Sequence, residues 1–234
     1  MPTSDNITVP VVSEIINIVS PESALDIGVG TGKFGFVFRD EREWKHACET
    51  GLTRMKRDHW RTRLDGVEVC PNYVTPLHKY LYDEVYIGLA QNVVPKLGFY
   101  DLIHMGDVIE HLSKSDGERM LDMLYDKARM GILIVTPVGE YHQRGTLENP
   151  YEEHKSVWGP RDLVRFPWRL SLRVGGRQWV MFICKSKELL CTVRQAKRER
   201  VLDRYKRRCF RHKMFLYLPR RLRSCVQRVL HRGR

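Results

Sequence analysis

Residues 24–33 have the sequence ALDIGVGTGK, which is the most informative part of the chain about its fold. Its first part, Ala24 to Ile27, is apolar apart from Asp26 and is typical of a short buried strand. Three glycines follow the strand at alternate positions: Gly28, Gly30 and Gly32. Glycine lets the backbone adopt positive φ and approach a ligand closely, and the helical pattern that begins at Lys33 would offer N–H groups to a polar ligand. The stretch therefore predicts a strand, a ligand-binding turn and a helix.

The spacing of these glycines separates the turn from two other nucleotide-binding loops. In the dinucleotide fingerprint G-x-G-x-x-G, the third glycine would fall at position 33, which is Lys33. The Walker pattern G-x-x-x-x-G-K-[ST] cannot be read through the stretch either. The turn therefore argues against a nicotinamide cofactor and against a Walker-type nucleotide site.

Strand and helix patterns alternate on both sides of the turn. Strands are predicted over residues 64–69, 83–87, 101–105 and 131–135, and helices over residues 11–19, 77–82 and 115–130. This alternation is typical of an α/β protein with a doubly wound, mostly parallel sheet. Residues 175–177, Gly-Gly-Arg, separate two further strand patterns and predict a C-terminal antiparallel hairpin.

Charge is distributed unevenly along the chain. The net charge is +12, from 40 Lys and Arg against 28 Asp and Glu. Residues 185–234 contain 18 basic and 3 acidic residues, so this segment carries +15 and residues 1–184 carry −3. We therefore expect a folded domain over residues 1–184 and a basic helical extension over residues 185–234.

The basic extension also contains apolar residues at places that suit a surface helix. They are Met214 to Leu218, and then Leu222, Val226, Val229 and Leu230. A basic amphipathic helix with an apolar anchor favours peripheral contact with an anionic membrane surface. Nucleic acid would use the same charges but would leave the apolar residues without a role, and a helix packed on the domain or a solvated tail is a further alternative.

The cysteines and the N-terminal residues indicate the cellular compartment of the protein. The six cysteines form no CxxC pair and no zinc spacing, which indicates thiols in a reducing compartment. Met1 to Ser20 lacks a basic start and includes Glu14, and no apolar run reaches the length of a membrane span. We expect a cytoplasmic protein, with the inner membrane surface as the place of any peripheral contact.

Asp26 followed by G-x-G-x-G resembles motif I of the class I S-adenosylmethionine-dependent methyltransferases. The resemblance continues through residues 82–88, 100–103, 107–112 and 136–137, and so covers residues 20–165. It implies a Rossmann-like methyltransferase fold, S-adenosylmethionine as the cofactor, and an enzyme that transfers a methyl group. In this family the glycine turn holds the methionyl part of the cofactor, and Asp26 would contact its ammonium end, directly or through water.

Glu68 ends the second predicted strand, where an acidic residue would accept hydrogen bonds from the two ribose hydroxyls of the cofactor. It lies 36 residues after Gly32, more than the usual spacing of about 20. Residues 40–63 are therefore expected to form an insertion. Glu49 is nearer in sequence, but no predicted strand precedes it.

Adenine recognition departs from the family pattern. Relatives carry Gly-Asp after the third strand, with the acid on the adenine amino group, whereas this chain has Gly88-Leu89. Ala90, Gln91 or backbone groups are then left to bind adenine, and we assign this role to Gln91.

Candidate catalytic residues follow the fourth and fifth strands. Methyl transfer from a sulfonium is an in-line displacement, so the protein mainly aligns the reactants and removes a proton from the acceptor. After the fourth strand come Asp107, which we place at the cofactor, and Glu110 and His111; after the fifth comes the segment 149–158, which contains His154. We expect His154, His111 and Glu110 to be catalytic and this segment to bind the acceptor. The alternatives are turn chemistry for the segment and support of the cofactor loop by Glu110 and His111.

A second resemblance concerns small-RNA 3′-terminal 2′-O-methyltransferases. These carry E-x-x-E-H after the fourth strand and a distant histidine after the fifth, which bind a divalent metal at the terminal ribose hydroxyls. The comparable residues here are Asp107, Glu110, His111 and His154, with aspartate in place of the first glutamate. Carboxylate and imidazole ligands would suit Mg or Mn. We expect a site without a metal and keep the metal as the alternative.

Three functions follow from these patterns. The first, which we expect, is O-methylation of a small-molecule or glycan hydroxyl, because the segment 149–158 resembles methyltransferases of bacterial polysaccharide and secondary-metabolite pathways. The second is metal-assisted RNA 2′-O-methylation. The basic extension and the four metal-ligand candidates favour it, whereas the acidic body and the absence of a recognisable RNA module do not. The third is a non-catalytic protein that has the cofactor-binding fold and docks through its basic extension. This hypothesis remains an alternative because Leu89 replaces the acid that relatives carry at the adenine site.

Overall fold

The structure is a computed structural model that describes residues 5–45, 47, 51, 56–146 and 149–197. The labelled helices are α1 (Val9–Val19), α2 (Lys33–Arg39), α3 (Pro76–Leu81), α4 (Ala90–Val93) and α5 (Lys114–Lys127). The strands are β1 (Ser23–Ile27), β2 (Arg63–Glu68), β3 (Glu84–Ile87), β4 (Tyr100–Gly106), β5 (Ala128–Pro137), β6 (Trp168–Val174) and β7 (Gln178–Cys184). Short 3₁₀ turns include Pro71–Tyr73, Ile109–His111, Pro150–Glu152 and Pro160–Leu163.

The strands form one seven-stranded sheet in the order β3-β2-β1-β4-β5-β7-β6. Strands β1 to β5 are parallel, whereas β7 runs antiparallel between β5 and β6. This arrangement confirms the predicted doubly wound, mostly parallel α/β sheet with a C-terminal antiparallel hairpin. Because β1 and β4 are neighbours and the chain continues from them toward opposite edges, their carboxyl ends form the crevice where ligands bind in such sheets.

The core lies on both faces of the central strands. Strands β1, β4 and β5 are buried along most of their length, as expected for central strands covered on both faces. On one face, Met120, Leu121 and Leu124 of α5 pack against the sheet. Trp158 is also buried there, and a Cβ added at Gly117 would lie 2.2 Å from its ring. The segment after β5 is therefore anchored to the core at Trp158.

The predicted boundary between α5 and β5 is wrong by three residues. The pattern of residues 115–130 predicts a helix, but α5 ends at Lys127 and Ala128 already pairs with Tyr100 of β4. Arg129 lies beside this edge and bonds Asp101 at 3.3 Å. The helix ends early because these residues complete the sheet ladder, and no glycine or proline marks the change in the sequence.

The predicted insertion after α2 is tied to the domain at both of its ends. Asp40–Trp44 continues α2 as a π-helix. The buried Arg39 guanidinium donates to Leu81 O at 2.7 Å and to Asp83 Oδ2 at 3.0 Å. Glu43 accepts hydrogen bonds from the N–H groups of Arg61 and Thr62, which immediately precede β2. Eight residues of the insertion, Glu49 among them, lie outside the described residues.

The chain separates into two compact units, Met1–Cys191 and Thr192–Arg234. A further helix begins at residue 187, and the second unit is described only as far as Lys197. The predicted boundary after residue 184 stays a prediction, and the expected amphipathic helix of the extension lies outside the described residues. In the part of the chain that is described, no helix has the length and apolar character needed to cross a bilayer.

Candidate functional site

A cavity of about 890 Å³ opens at the carboxyl ends of the parallel strands. Its wall includes the turns that follow β1, β2, β3, β4 and β5, together with the hairpin turn between β6 and β7. The predicted site residues that line it are Gly28, Gly30, Glu68, Gln91, Asp107, Glu110, His111 and His154. Asp26 and Gly32 do not line it. The volume lies within the range of about 300–1,000 Å³ that is common for small-molecule sites.

The glycine turn is shaped by left-handed backbone conformations and by close packing. Gly28 has φ +76°, and a Cβ there would lie 2.3 Å from Val108 Cγ2. Gly30 has φ +51°, and a Cβ there would meet only Gly28 O, at 3.9 Å. Gly32, with φ +83°, lies at the start of α2. Gly28 therefore admits no side chain, whereas the space beside Gly30 is open to a ligand.

His78, which the sequence analysis did not single out, holds the turn from the side of α3. Its Nδ1 accepts from Thr75 N at 3.1 Å, and its Nε2 lies 3.0 Å from Gly30 O. Because an amide N–H can only donate and a carbonyl can only accept, the ring carries its proton on Nε2. The buried imidazole thus fixes the peptide group of Gly30.

Glu68 lies at the end of β2, as predicted, and faces the same turn. Its Oε2 accepts from Gly30 N at 3.0 Å and its Oε1 accepts from Cys70 N at 2.9 Å. Burial raises the pKa of the Glu68 carboxyl, and the N–H groups of Cys70 and Gly30 oppose this shift. Two amides therefore orient a buried carboxylate along the cavity wall.

Asp26 lies beneath the turn rather than in the cavity. Its side chain is 1% exposed and accepts hydrogen bonds from Tyr82 Oη at 2.5 Å and from His104 Nδ1 at 2.7 Å. Burial and the neighbouring Asp26 charge raise the pKa of Tyr82 well above its ordinary value, so its hydroxyl remains a donor. The contact of Asp26 with a cofactor ammonium stays a prediction; the structure shows a carboxylate that joins β1, β4 and the residue after α3.

Glu110, His111 and His154 meet at the other end of the cavity. Glu110 is buried, and its Oε2 accepts from Thr136 Oγ1 at 3.2 Å. Burial, and then the charge of Asp107, raise the pKa of Glu110 well above its ordinary value. The rings of His111 and His154 lie 4.8 Å apart between their centres. One ligand atom from each of the three lies within 4.8 Å of the others.

Backbone carbonyls hold both imidazoles through Nδ1. His111 Nδ1 lies 3.1 Å from Glu153 O, and His154 Nδ1 lies 2.7 Å from Tyr141 O. A carbonyl can only accept, so each Nδ1 carries a proton, and Nε2 is the basic nitrogen of the neutral ring. Burial lowers the pKa of His111, and nearby His154 lowers it further, which favours the neutral ring. The arrangement can remove a proton from a hydroxyl or bind a cation.

Asp107 immediately follows β4 and lines the cavity. It is a non-glycine residue with φ +52°, and its N–H donates to Val135 O at 2.9 Å. It does not belong to the group of ligand atoms formed by Glu110, His111 and His154. Of the four residues compared with the small-RNA enzymes, the structure therefore brings three together.

A buried polar cluster that the sequence did not predict also lines the cavity. It consists of Tyr73, Asn149 and Glu152, and all three side chains line the cavity. Tyr73 precedes α3, whereas Asn149 and Glu152 belong to the expected acceptor segment. No local pattern connects these positions, because Tyr73 and Glu152 are 79 residues apart.

Comparison with known proteins rests on structure. No protein-family model and no curated protein matches the chain. An O-methyltransferase family protein from Burkholderia thailandensis aligns with a TM-score of 0.50 at 14% identity, over 76% of this chain. The alignment spans only 55% of the Burkholderia protein.

Two further solved structures align over most of their own length. The N-terminal domain of EvdMO1, determined in the presence of S-adenosylhomocysteine (SAH) and D-fucose, has a TM-score of 0.51 at 12% identity, over 78% of this chain and 83% of that one. The methyltransferase domain of bacterial CtHen1 has a TM-score of 0.51 at 16% identity, over 76% and 97%. The strand order, the glycine turn after β1 and these neighbours together show that the chain has the class I methyltransferase fold.

Proposed function

We propose that the chain is an S-adenosylmethionine-dependent methyltransferase that methylates a hydroxyl of a small-molecule or glycan acceptor. The observation that carries this proposal is the two-ended cavity. At one end the glycine turn faces the oriented carboxylate of Glu68, and at the other end lie two imidazoles whose Nδ1 atoms are held by backbone carbonyls. The end with Glu68 suits a nucleoside cofactor that carries a reactive group. The end with the two histidines suits the hydroxyl of the methyl acceptor.

The residues present fit the cofactor. The open space beside Gly30 admits the methionyl part, and the Glu68 carboxylate can accept hydrogen bonds from ribose hydroxyls while Gly30 N and Cys70 N hold it in place. Gln91 and Asp107 line the same cavity and complete the proposed contacts. When bound, the cofactor supplies an electrophilic methyl group on a sulfonium. Its fit is supported by EvdMO1, whose structure was determined with SAH.

His154 is the proposed general base. Its Nδ1–H donates to Tyr141 O, so its Nε2 can take the proton of an acceptor hydroxyl while the carbonyl stabilises the imidazolium that forms. His111, held in the same way by Glu153 O, is the second proton acceptor of the pair. Glu110 lies behind them with a raised carboxyl pKa, and we propose that it orients the acceptor by hydrogen bonding.

The mouth of the cavity suits a ring-shaped acceptor. Tyr141 and Tyr151 line it and are 61% and 45% exposed. Aromatic rings with a polar end pack against the apolar faces of other rings, including sugars, while the hydroxyl stays in water. EvdMO1 was determined with D-fucose as well as SAH, which supports a glycan acceptor.

A second candidate function is metal-assisted 2′-O-methylation of RNA. The observation that favours it is the group of Glu110, His111 and His154, whose ligand atoms all lie within 4.8 Å of one another. A divalent cation bound there would lower the pKa of an acceptor hydroxyl. The two candidates exclude each other at the histidines, because an Nε2 lone pair that binds a metal cannot also take a proton.

A calorimetric titration with SAH, repeated with Mn²⁺ and with a chelator, separates these candidates. The first predicts SAH binding that neither addition changes. The second predicts saturable binding of Mn²⁺, lost in His154→Ala but retained in the matched control His59→Ala, whose side chain is exposed. Absence of SAH binding by the folded chain would contradict both candidates.

For the basic extension we propose peripheral contact with the anionic inner surface of the cytoplasmic membrane. The charge of +15 over residues 185–234 supports this partner. Deletion of residues 198–234 should abolish sedimentation with anionic vesicles and leave SAH binding unchanged. Retention of the full chain on RNA at rising salt, without vesicle binding, would favour nucleic acid instead.

A further inference from the structure

The cluster of Tyr73, Asn149 and Glu152 has no role in the function proposed above. Tyr73 lies in the turn after β2, and the other two lie in the segment after β5. Glu152 is only 8% exposed, although it carries a carboxylate and borders the cavity. A buried carboxylate needs hydrogen-bond donors, so its partners show how it is oriented.

Both protein donors bind the same oxygen of Glu152. Tyr73 Oη donates to Oε1, and Asn149 Nδ2 lies 3.4 Å from Oε1 and 3.3 Å from Tyr73 Oη. Burial, together with the hydrogen bond to Glu152, raises the pKa of Tyr73 to about 12, so the phenol keeps its proton. The Tyr73 hydroxyl and the Asn149 amide therefore position the carboxylate.

The second oxygen, Oε2, is left for a ligand. Within the described ranges, no side chain or backbone group donates a hydrogen bond to Oε2, and the atom is not among those sealed from solvent. Because Glu152 lines the cavity, this oxygen is an acceptor with access to the cavity. A bound molecule with an N–H or O–H group would satisfy it.

The hydrogen bonds connect Glu152 to the proposed nucleoside end of the cavity. Tyr73 N donates to Cys70 O at 3.1 Å, and Cys70 N donates to Glu68 Oε1. Tyr73 and Glu68 thus belong to one short turn. On the wall beside them, the turn after β3 contributes residues 88–91, where Gln91 has the only polar side chain. A carboxylate acceptor at this end can come from Glu152.

We propose that Glu152 Oε2 accepts a hydrogen bond from the exocyclic amino group of the cofactor's adenine. Tyr73 and Asn149 act as positioning residues for this carboxylate. The inference rests on the proposed function, since it assumes an adenosyl cofactor. It also has a chemical consequence: a purine with an oxo group at the same position would present an acceptor to an acceptor, so the site should reject it.

The test compares SAH with S-inosylhomocysteine, in which an oxo group replaces the adenine amino group. Calorimetry on the full chain should give tighter binding of SAH, by about tenfold or more, as expected when a buried hydrogen-bonding group is left unpaired. In Glu152→Gln this preference should fall at least about tenfold, because the amide can turn its NH₂ toward the oxo group. The matched control Glu153→Gln loses the same charge at the next, exposed residue and should keep the preference.

The ratio of the two affinities separates recognition from a structural effect. If Glu152→Gln weakened both ligands equally, or if the parent bound both equally, the inference would be overturned while the proposed function stood. Tyr73→Phe keeps the carboxylate and removes its positioning donor, so it should lower the ratio as well; an unchanged ratio would contradict the positioning role. A folded parent that bound neither ligand would refute the proposed function itself.

Discussion

Replacing Asp26 by asparagine distinguishes a structural carboxylate from a ligand contact. Asp26 accepts from Tyr82 Oη at 2.5 Å and from His104 Nδ1 at 2.7 Å. An asparagine oxygen can satisfy one of these donors, whereas its NH₂ group meets the other. A change of tautomer at His104 would place a proton on Nε2, which has no hydrogen-bond partner among the described residues. We therefore expect Asp26→Asn to lower the free energy of unfolding by about 2 kcal/mol.

Urea denaturation measures this free energy by linear extrapolation, and calorimetry with SAH measures binding below the unfolding transition. Because Asp26 does not line the cavity, SAH affinity should fall by less than about tenfold, which corresponds to about 1.4 kcal/mol. Asp126→Asn is the control, since Asp126 is exposed, and its stability should change by less than about 0.5 kcal/mol. A variant as stable as the parent that no longer binds SAH would refute the structural role.

Three further predictions concern the turn, the Tyr73 hydroxyl and the base. Gly28→Ala should reduce both stability and SAH binding, because its Cβ would lie 2.3 Å from Val108 Cγ2. The control is Gly139→Ala, which has the same φ of +76° but open space around its Cβ and should bind SAH normally in calorimetry. The Tyr73 phenol has a pKa of about 12 against the ordinary 10.0, so its stabilisation is complete below pH 10 and is lost as the pH rises through 12. Denaturation at alkaline pH should therefore show a shallower loss of stability in Tyr73→Phe, and an identical slope would contradict this. His154→Ala should lower turnover with any accepted hydroxyl far more than it lowers SAH affinity; unchanged turnover would remove His154 from the active site.

Much of the fold could be predicted from the sequence because its signals are local. The glycines after β1 mark a turn whatever the rest of the chain does, and alternating strand and helix patterns imply a parallel sheet. The boundary between α5 and β5 could not be predicted in this way. Residues 128–130 have no turn chemistry, and pairing with β4, a tertiary interaction, decides their conformation.

The site was predictable where chain position alone places a residue at a strand end. Glu68 and His111 are of this kind, since the carboxyl ends of parallel strands meet at one edge. The hydrogen-bond partners of Asp26 were not predictable, because Tyr82 and His104 lie 56 and 78 residues away in the sequence. The contact of Tyr73 with Glu152 likewise depends on how the segment after β5 crosses the cavity.

Calorimetric titration of the full chain with SAH, beside the variant Gly30→Val, tests the central claim that this cavity binds S-adenosylmethionine. We predict one binding site per chain for the parent. Gly30→Val should lose binding and still fold, because a Cβ at this position enters the open space beside the turn, where its nearest neighbour is Gly28 O at 3.9 Å. The left-handed backbone at this position should cost the variant about 1–2 kcal/mol of stability. A folded parent that gives no heat with SAH, or a Gly30→Val variant that binds SAH as tightly as the parent, would contradict the claim.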